Sequence, residues 1–236
     1  MKQIQNMEAY DELKQLAPDV FTVDSDWEGM TFRRRMTIIR LKTGKLLVHS
    51  PVNLRDETFA RLDALGSVAY IVAPNAFHSS EAHYYKVRYP RAQLLASRAC
   101  AADIEKRAKV DGLLPEAWPR NIEVECLEFQ GTRMLAENVF FHQPSQTLIL
   151  TDLVFHMQHE SNAFERCFFK INRIYRRFGP SNIFRYFLVE DRARAEESFH
   201  AIMKWDFDRV IMSHGVIVEA GGRDRMRQGF EEMGIR

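Results

Sequence analysis

Short apolar segments alternate with amphipathic segments along the first two thirds of the chain. Runs rich in β-branched and aromatic residues predict strands at 20–23, 36–41, 46–49, 68–73, 93–96 and 122–129. Apolar residues spaced three to four apart predict helices at 6–16, 56–65, 79–89 and just after 99. Because the links are short and no low-complexity linker separates these elements, this part of the chain is predicted to be a mixed α and β fold.

Two apolar strands that lie far apart in sequence each end in a residue that can bind a metal ion. Residues 139–141 and 147–151 predict a hairpin, whose second strand is followed by Asp152. Residues 209–212 predict another strand, which is followed by His214. Alone, Asp152 is typical of a residue that caps the next turn or helix. Together, the two strand ends predict that Asp152 and His214 approach each other at one sheet edge.

A helical block is predicted over residues 160–205, between these two strands. Its first helix carries one apolar stripe, made of Phe164, Cys167, Phe168, Ile171, Tyr175 and Phe178. Gly179-Pro180 ends that helix, a second helix follows, and Asp191 caps a third. The block is too short to bury the stripe by itself, so we expect it to pack beside the site or against a second copy of the chain.

Basic residues occupy the other faces of this block, and three interpretations are open. The basic face is a solvated surface, or Arg173, Arg176 and Arg177 belong to a lid that attracts an anionic small molecule. In the third interpretation the basic, aromatic helix contacts an anionic membrane surface. The aromatic residues between 178 and 187 also allow a homodimer through the block.

Composition and charge exclude several classes of protein. The 236 residues are 46% hydrophobic, which is enough for one large domain spanning 1–236. The net charge of +1 gives no reason to expect nucleic acid as a partner. Three isolated cysteines predict a reducing compartment. No apolar signal core and no run of ~20 apolar residues is present, so a cytoplasmic protein without a membrane span is expected.

The strand-end motifs resemble those of the metallo-β-lactamase superfamily. Leu-Ile-Leu-Thr-Asp-Leu at 148–153 resembles its strand-end aspartate motif, and Met-Ser-His-Gly at 212–215 resembles its final histidine motif. RMTIIRL, LLVHSPV, IVAPNAFH, VFFHQPSQTLILTD and WDFDRVIMSHG are similar to a branch of that superfamily known only as a domain of unknown function. The resemblance implies an α+β fold, a four-layer αββα sandwich with the helical block inserted. It also implies that Asp152 and His214 correspond to a metal-bridging carboxylate and a metal-binding histidine.

The first metal motif of active superfamily members, His-x-His-x-Asp-His, is absent from the loop after strand 68–73. If Asn75 takes the place of the first histidine, Phe77 takes that of the second, and a phenyl ring cannot bind a metal ion. His78, Glu81 and His83 are ligand-type residues at a different spacing. Glu81 and His83, two residues apart, would not share a helical face. An intact two-metal site is therefore not expected.

Two hypotheses of different classes follow from the resemblance. The first is a divergent hydrolase with one divalent metal ion (zinc, iron or manganese) held by His78, Asp152 and His214, with Glu81 or His83 as a substitute ligand and a water molecule as the nucleophile. The second is a non-catalytic descendant that binds no metal, in which Asp152 and His214 form a hydrogen-bonded structural pair while the cleft binds a ligand or partner.

Other polar residues near these motifs have two interpretations each. Glu137 is a further carboxylate ligand, or a surface charge or acceptor for backbone N–H groups. His49 and His156 line the cleft or serve the local structure. His142, at a turn after a strand, is expected to be exposed to solvent.

Overall fold

Two β-sheets form the centre of the protein in a computed structural model, which describes residues 11–26, 33–158 and 162–235. The first sheet has seven strands in sequence order. Its first four strands are antiparallel, and the fourth to seventh are parallel. These strands are β1 (Lys14–Ala17), β2 (Val20–Ser25), β3 (Arg34–Arg40), β4 (Leu46–His49), β5 (Val68–Ala73), β6 (Gln93–Ala96) and β7 (Gly112–Leu113).

The second sheet has four strands. In chain order the remaining strands are β8 (Val124–Glu128), β9 (Asn138–His142), β10 (Thr147–Ile149), the short pair β11 (Phe155–His156) and β12 (Phe178–Gly179), and β13 (Arg209–Ile211). The sheet order is β13-β10-β9-β8, and β13 runs parallel to β10. The turn Gln143–Ser145 joins β9 to β10 as the hairpin pattern predicted. Because β10 and β13 are parallel neighbours, their carboxyl ends lie at the same sheet edge.

Helices cover the outer face of each sheet. On the first sheet these are α1 (Asp56–Leu65), α2 (Ala82–Arg88) and α3 (Arg98–Glu105). The later helices are α4 (Ala163–Ile171), α5 (Arg192–Ile202) and α6 (Gly222–Glu231), of which α5 and α6 contribute to the core outside the second sheet. Alternate strand residues face inwards, so that Ile39, Val72, Phe140 and Ile211 form a third core between the sheets. The result is the four-layer αββα arrangement that the resemblance implied.

Two predicted helices differ from the structure. Residues 14–17 of the predicted first helix form strand β1, and residues 6–10 lie outside the described part of the chain. The first helix of the block, whose predicted start at 160 also lies outside that part, ends at Ile171 rather than at Phe178. Asn172 binds the carbonyl of Phe168 through both its backbone and its side-chain N–H, and Arg173 takes a left-handed φ of 58°.

The early end of α4 changes which apolar side chains are buried. Phe164 and Ile171, predicted to belong to a buried stripe, are 81% and 66% exposed. Phe169, which the stripe omitted, is buried with Ile174 in a small separate cluster. Phe178 packs on the core of the second sheet from strand β12. Within the described residues, no helix is both long and apolar enough to cross a membrane.

Candidate metal centre

Three ligand-type side chains meet at the edge where β5, β10 and β13 end. His78 lies in the loop after β5, Asp152 follows β10, and His214 follows β13. The Nε2 atoms of His78 and His214 are 3.2 Å apart. Asp152 Oδ1 lies 3.3 Å from His78 Nε2 and 3.4 Å from His214 Nε2. The predicted approach of Asp152 and His214 is therefore confirmed, although 62 residues separate them in sequence (214 minus 152).

The far nitrogen of each imidazole ring is anchored by the protein. His214 Nδ1 lies 2.7 Å from the carbonyl oxygen of Arg33, which can only accept a hydrogen bond. Nδ1 therefore donates the hydrogen bond, and Nε2 faces Asp152 and His78. His78 Nδ1 lies 2.9 Å from the hydroxyl of Ser50. Such outer hydrogen bonds hold the rings of metal-binding histidines in one orientation and one tautomer.

Burial and mutual charge set the protonation states of the cluster. Burial lowers the pKa of His78, although the adjacent Asp152 carboxylate opposes this. Burial by itself would raise the pKa of Asp152, but His78 and His214 outweigh it and lower that pKa below its ordinary value. At neutral pH His78 is therefore neutral and Asp152 ionised. These are the forms in which the two side chains bind a metal ion.

Asn75 holds the carboxylate of Asp152 from the other side. Its Oδ1 accepts the backbone N–H groups of Phe77 and His78 at 2.9 and 2.8 Å, which identifies the amide orientation. Its Nδ2 therefore faces Asp152 Oδ2 at 2.7 Å and the hydroxyl of Thr151 at 2.8 Å. Asn75 thus both shapes the loop that carries His78 and occupies one carboxylate oxygen of Asp152.

Glu137 supports the same strand end and is fully buried. Its carboxylate accepts the backbone N–H groups of Thr151 at 2.5 Å and Asp152 at 2.8 Å. Burial and the charge of Asp152 raise the pKa of Glu137. The prediction that Glu137 accepts backbone N–H groups is confirmed, and the alternative prediction that it is a surface charge is wrong. The only signal in the sequence was its position just before β9, because the loop at 129–137 shows no periodic pattern.

A cavity of about 210 Å³ opens directly above the three residues. His78, Asp152 and His214 line one side of it. Phe77, Leu135 and Phe155 line it from the sandwich, and the helical block contributes Phe168, Phe169, Asn172, Ile174, Ser181, Ile183 and Leu188. The block thus packs beside the site.

Solved structures with the same architecture identify the fold. The chain aligns with a metallo-β-lactamase from Pontibacter korlensis at a TM-score of 0.61 and 13% identity, covering 91% of this chain and 95% of that one. With DIM-1 metallo-β-lactamase exposed to ceftazidime, the TM-score is 0.64 and the identity 12%, covering 94% of this chain and 96% of that one. With a metallo-β-lactamase from Hirschia baltica, the TM-score is 0.61 and the identity 13%, covering 94% of this chain and 97% of that one. The chain has the metallo-β-lactamase fold. No family model and no curated protein matches its sequence.

The fold does not bring the two other predicted ligands to the cluster. Among the described residues, the group that could hold a metal ion consists of His78, Asp152 and His214. Glu81 instead receives two hydrogen bonds from Arg34 of β3, at 2.7 and 3.1 Å. The ring of His83, the second residue of α2, lies against Tyr84 with 3.8 Å between the ring centroids. Glu81 and His83 as substitute ligands are therefore not supported by the geometry.

The three arginines proposed to bind an anion also lie away from the cluster. Arg173 and Arg177 pair with Glu232, just after α6. The guanidinium of Arg176 lies over the ring of Tyr175, 5.4 Å from its centroid. None of these three arginines lines the cavity above the cluster. The backbone takes a left-handed conformation at Arg173 and Arg176, which no helical pattern shows.

Three further histidines, His49, His142 and His156, have structural surroundings in this fold. His142 is buried, and its Nδ1 lies 2.7 Å from Ser145 Oγ, so the prediction that it is exposed was wrong. His156 joins the loop after β13 through its Nδ1, 2.8 Å from the carbonyl of Val216. His49, at the end of β4, is 1% exposed, and its ring meets Phe140 edge to face at 5.1 Å. Neither ring nitrogen of His49 has a hydrogen-bond partner among the described residues.

His49 should make the protein less stable in mild acid. Burial, with the nearby His78 adding to it, lowers the pKa of His49 to about 3. The unfolded chain binds a proton at this histidine below about pH 6.5, whereas the folded chain does not until about pH 3. Stability should therefore fall as the pH is lowered through this window, by about 2 kcal/mol between pH 6.5 and pH 5.

Urea unfolding of His49→Leu at several pH values tests this expectation. The substitution should flatten the dependence of unfolding free energy on pH in that window, while the exposed His200→Gln should leave it unchanged. At pH 7 His49→Leu should cost no more than about 1 kcal/mol, because it removes a buried polar group that has no partner. An unchanged pH dependence in His49→Leu would contradict the assignment.

Proposed function

We propose that the protein is a metal-dependent hydrolase whose site holds one divalent metal ion between His78, Asp152 and His214. The observation that carries the proposal is the convergence of three ligand atoms, within 3.4 Å of one another, from three separate elements. Their outer hydrogen bonds and protonation states add support, since both match those of metal ligands.

The donor atoms have the spacing of ligands around one metal ion. His214 Nδ1 donates to the Arg33 carbonyl, which leaves Nε2 facing both His78 Nε2 and the Asp152 carboxylate. Spacings of 3.2–3.4 Å are those of neighbouring ligands around an ion bound at about 2.0–2.2 Å. Two imidazoles and one carboxylate suit zinc or iron(II), and manganese remains the third candidate.

The surroundings favour one metal ion rather than two. Asp152 Oδ2, which receives a hydrogen bond from Asn75 at 2.7 Å, also lies 3.3 Å from His78 Nε2. A carboxylate oxygen engaged in this way is less available to bridge to a second ion. Phe77, which lies where the resemblance places another histidine, contributes only a phenyl ring to the cavity.

A bound divalent ion would act as a Lewis acid and lower the pKa of a water molecule in the site. The chain's own residues supply the remaining conditions. Asp152 and the two histidines hold fixed positions because Asn75, Ser50 and the Arg33 carbonyl restrain them. The apolar residues above exclude bulk water, which strengthens electrostatic interactions in the site.

One observation favours the non-catalytic alternative. Asp152 has hydrogen-bonding neighbours within the protein itself, namely Asn75, His78 and His214. In that case the cluster would serve as a structural pair, and the cavity would bind a ligand without converting it.

Metal content distinguishes the two functions. The protein is purified without chelator or nickel affinity resin, and zinc, iron and manganese are measured by mass spectrometry. We expect close to one equivalent, and loading should be accompanied by hydrolysis of a simple aryl ester. Two equivalents would contradict the mononuclear site. Less than about a tenth of an equivalent, with no uptake on titration, would exclude the hydrolase.

We propose that the protein has one macromolecular partner, a second copy of the chain, and that it binds no nucleic acid. Phe164, Ile171 and Phe187 of the helical block are 81%, 66% and 74% exposed, and a homodimer would bury them. Sedimentation velocity at rising concentration tests this proposal, and a monomer throughout would refute it. The proposed ligand is a small molecule, and its chemistry is considered next.

A further inference from the structure

The cavity above the metal residues is apolar on almost every side. Besides His78, Asp152 and His214, the polar side chains that line it among the described residues are Asn172 and Ser181. Both serve the backbone of the helical block. Asn172 Nδ2 donates to the carbonyl of Phe168 at 3.0 Å, and Ser181 Oγ accepts the N–H of Phe184 at 3.0 Å.

A ligand in this cavity would therefore meet polar groups at one end only. Within the described chain, the charged side chain that lines the cavity is Asp152. A sugar or a polyanion would lose the hydrogen bonds that it makes with water and find few replacements here, at a cost of several kcal/mol. An apolar group has no hydrogen bonds with water to lose, and its burial is favourable.

The size of the cavity limits the apolar group. An apolar protein cavity of about 150 Å³ accepts benzene, and one water molecule's share of liquid volume is about 30 Å³. A cavity of about 210 Å³ therefore holds roughly seven to ten non-hydrogen atoms. A phenyl ring with a short chain, or an alkyl chain of six to eight carbons, fills about that volume.

The opening of the cavity is apolar as well. Phe77, Phe168 and Ile183 line it and are also 44%, 40% and 38% exposed, so they lie where the cavity meets solvent. Large apolar side chains left exposed around a cavity are typical of a ligand-binding site.

We infer that the site takes a medium-sized hydrophobic acyl or aryl compound with one oxygen-donor head, such as an ester or amide of a hydrophobic acid. The head lies at His78, Asp152 and His214, and the apolar body lies against Phe168, Ile174 and Ile183. This inference rests on the proposed function, because the metal ion is what binds the head.

Alkyl hydroxamates, whose oxygen atoms bind metal ions, provide the probe. Calorimetric titration of the zinc-loaded protein with acetohydroxamate, butanohydroxamate, hexanohydroxamate and octanohydroxamate should show affinity rising about fourfold for each buried methylene. The rise should stop at about six to eight carbons, when the cavity is full. Equal affinity for the two-carbon and eight-carbon compounds would overturn the inference.

Two variants of one residue show where the chain lies. Ile183→Asp should abolish the dependence of hydroxamate affinity on chain length. Ile183→Trp should fill part of the cavity and move the plateau to shorter chains, which provides the test if the aspartate variant does not fold. Val87→Asp, on α2, 71% exposed and outside the cavity, is the control and should behave as wild type. If a folded Ile183 variant bound the hydroxamate series as the wild type does, the placement of the alkyl chain against Ile183 would be contradicted.

Metal-free protein separates this inference from the proposed function. Hexanol has no metal-binding head, so it should bind the chelated protein more tightly than ethanol, as monitored by NMR shifts of cavity methyl groups. If hexanol binds but no metal ion does, the hydrolase proposal fails and the inference of an apolar ligand site is supported. If zinc and acetohydroxamate bind while chain length has no effect, the hydrolase proposal stands and the apolar site fails.

Discussion

Replacement of Asp152 by alanine should abolish metal binding. Asp152 is the anionic member of the cluster, and both histidines lie within 3.4 Å of its carboxylate. Loss of a residue that only supports a ligand costs about 10–100-fold in metal affinity, so loss of this ligand should cost more than about 100-fold. Zinc titration against a fluorescent chelator measures the change, and metal content after purification should fall in parallel.

His83→Ala is the matched control for this experiment. His83 was predicted as a substitute ligand, but its ring lies against Tyr84 and outside the cluster. The control should keep wild-type zinc affinity. If His83→Ala lost zinc while Asp152→Ala kept it, the site would lie elsewhere and the proposed centre would be wrong.

Replacement of Glu137 by alanine should destabilise the protein by about 2–5 kcal/mol. Two buried N–H groups, those of Thr151 and Asp152, would lose the carboxylate that accepts them. Each unpaired buried donor costs about 1–3 kcal/mol. Because the same contacts hold the backbone of Asp152, zinc affinity should fall as well, by about 10–100-fold. Urea unfolding and zinc titration measure the two effects.

Two further variants separate the hydrogen bonds from other effects of the Glu137 substitution. Glu137→Gln keeps one of the two oxygen acceptors and should recover up to about half of the lost stability. Glu128→Ala, at the partly exposed end of β8, should change stability by less than about 0.5 kcal/mol. Full stability in Glu137→Ala would show that another group or water satisfies the two N–H groups.

The sequence alone determined most of the strands and the residues at two of their ends. Apolar periods of two residues in strands and 3.6 in helices are short-range patterns, so β6 and the helix α1 appear at their predicted bounds. Asp152 and His214 could be paired from sequence because each directly follows an apolar strand. The fold implied by the resemblance then places those two strand ends at one edge.

Tertiary contacts decided which loop residue joins that pair. Asn75 accepts two backbone N–H groups and so turns His78 inwards, whereas Arg34, 47 residues away from Glu81 in sequence, binds that carboxylate. Neither contact leaves a periodic signal, and so His78, Glu81 and His83 looked alike as ligands. The same holds for Glu137, whose burial depends on a loop without regular structure.

The helical block shows the same division between local pattern and long-range contact. Asp191 was recognised as the cap of α5 because a cap bonds its own helix, here the N–H of Arg194. The end of α4 at Ile171 was not recognised, because Arg173 and the following residues are held by Glu232 and Met157, far away in the chain. Periodicity reports only what a segment does with its own neighbours. The position of the arginines and the apolar character of the cavity depend on partners that only the folded chain brings together.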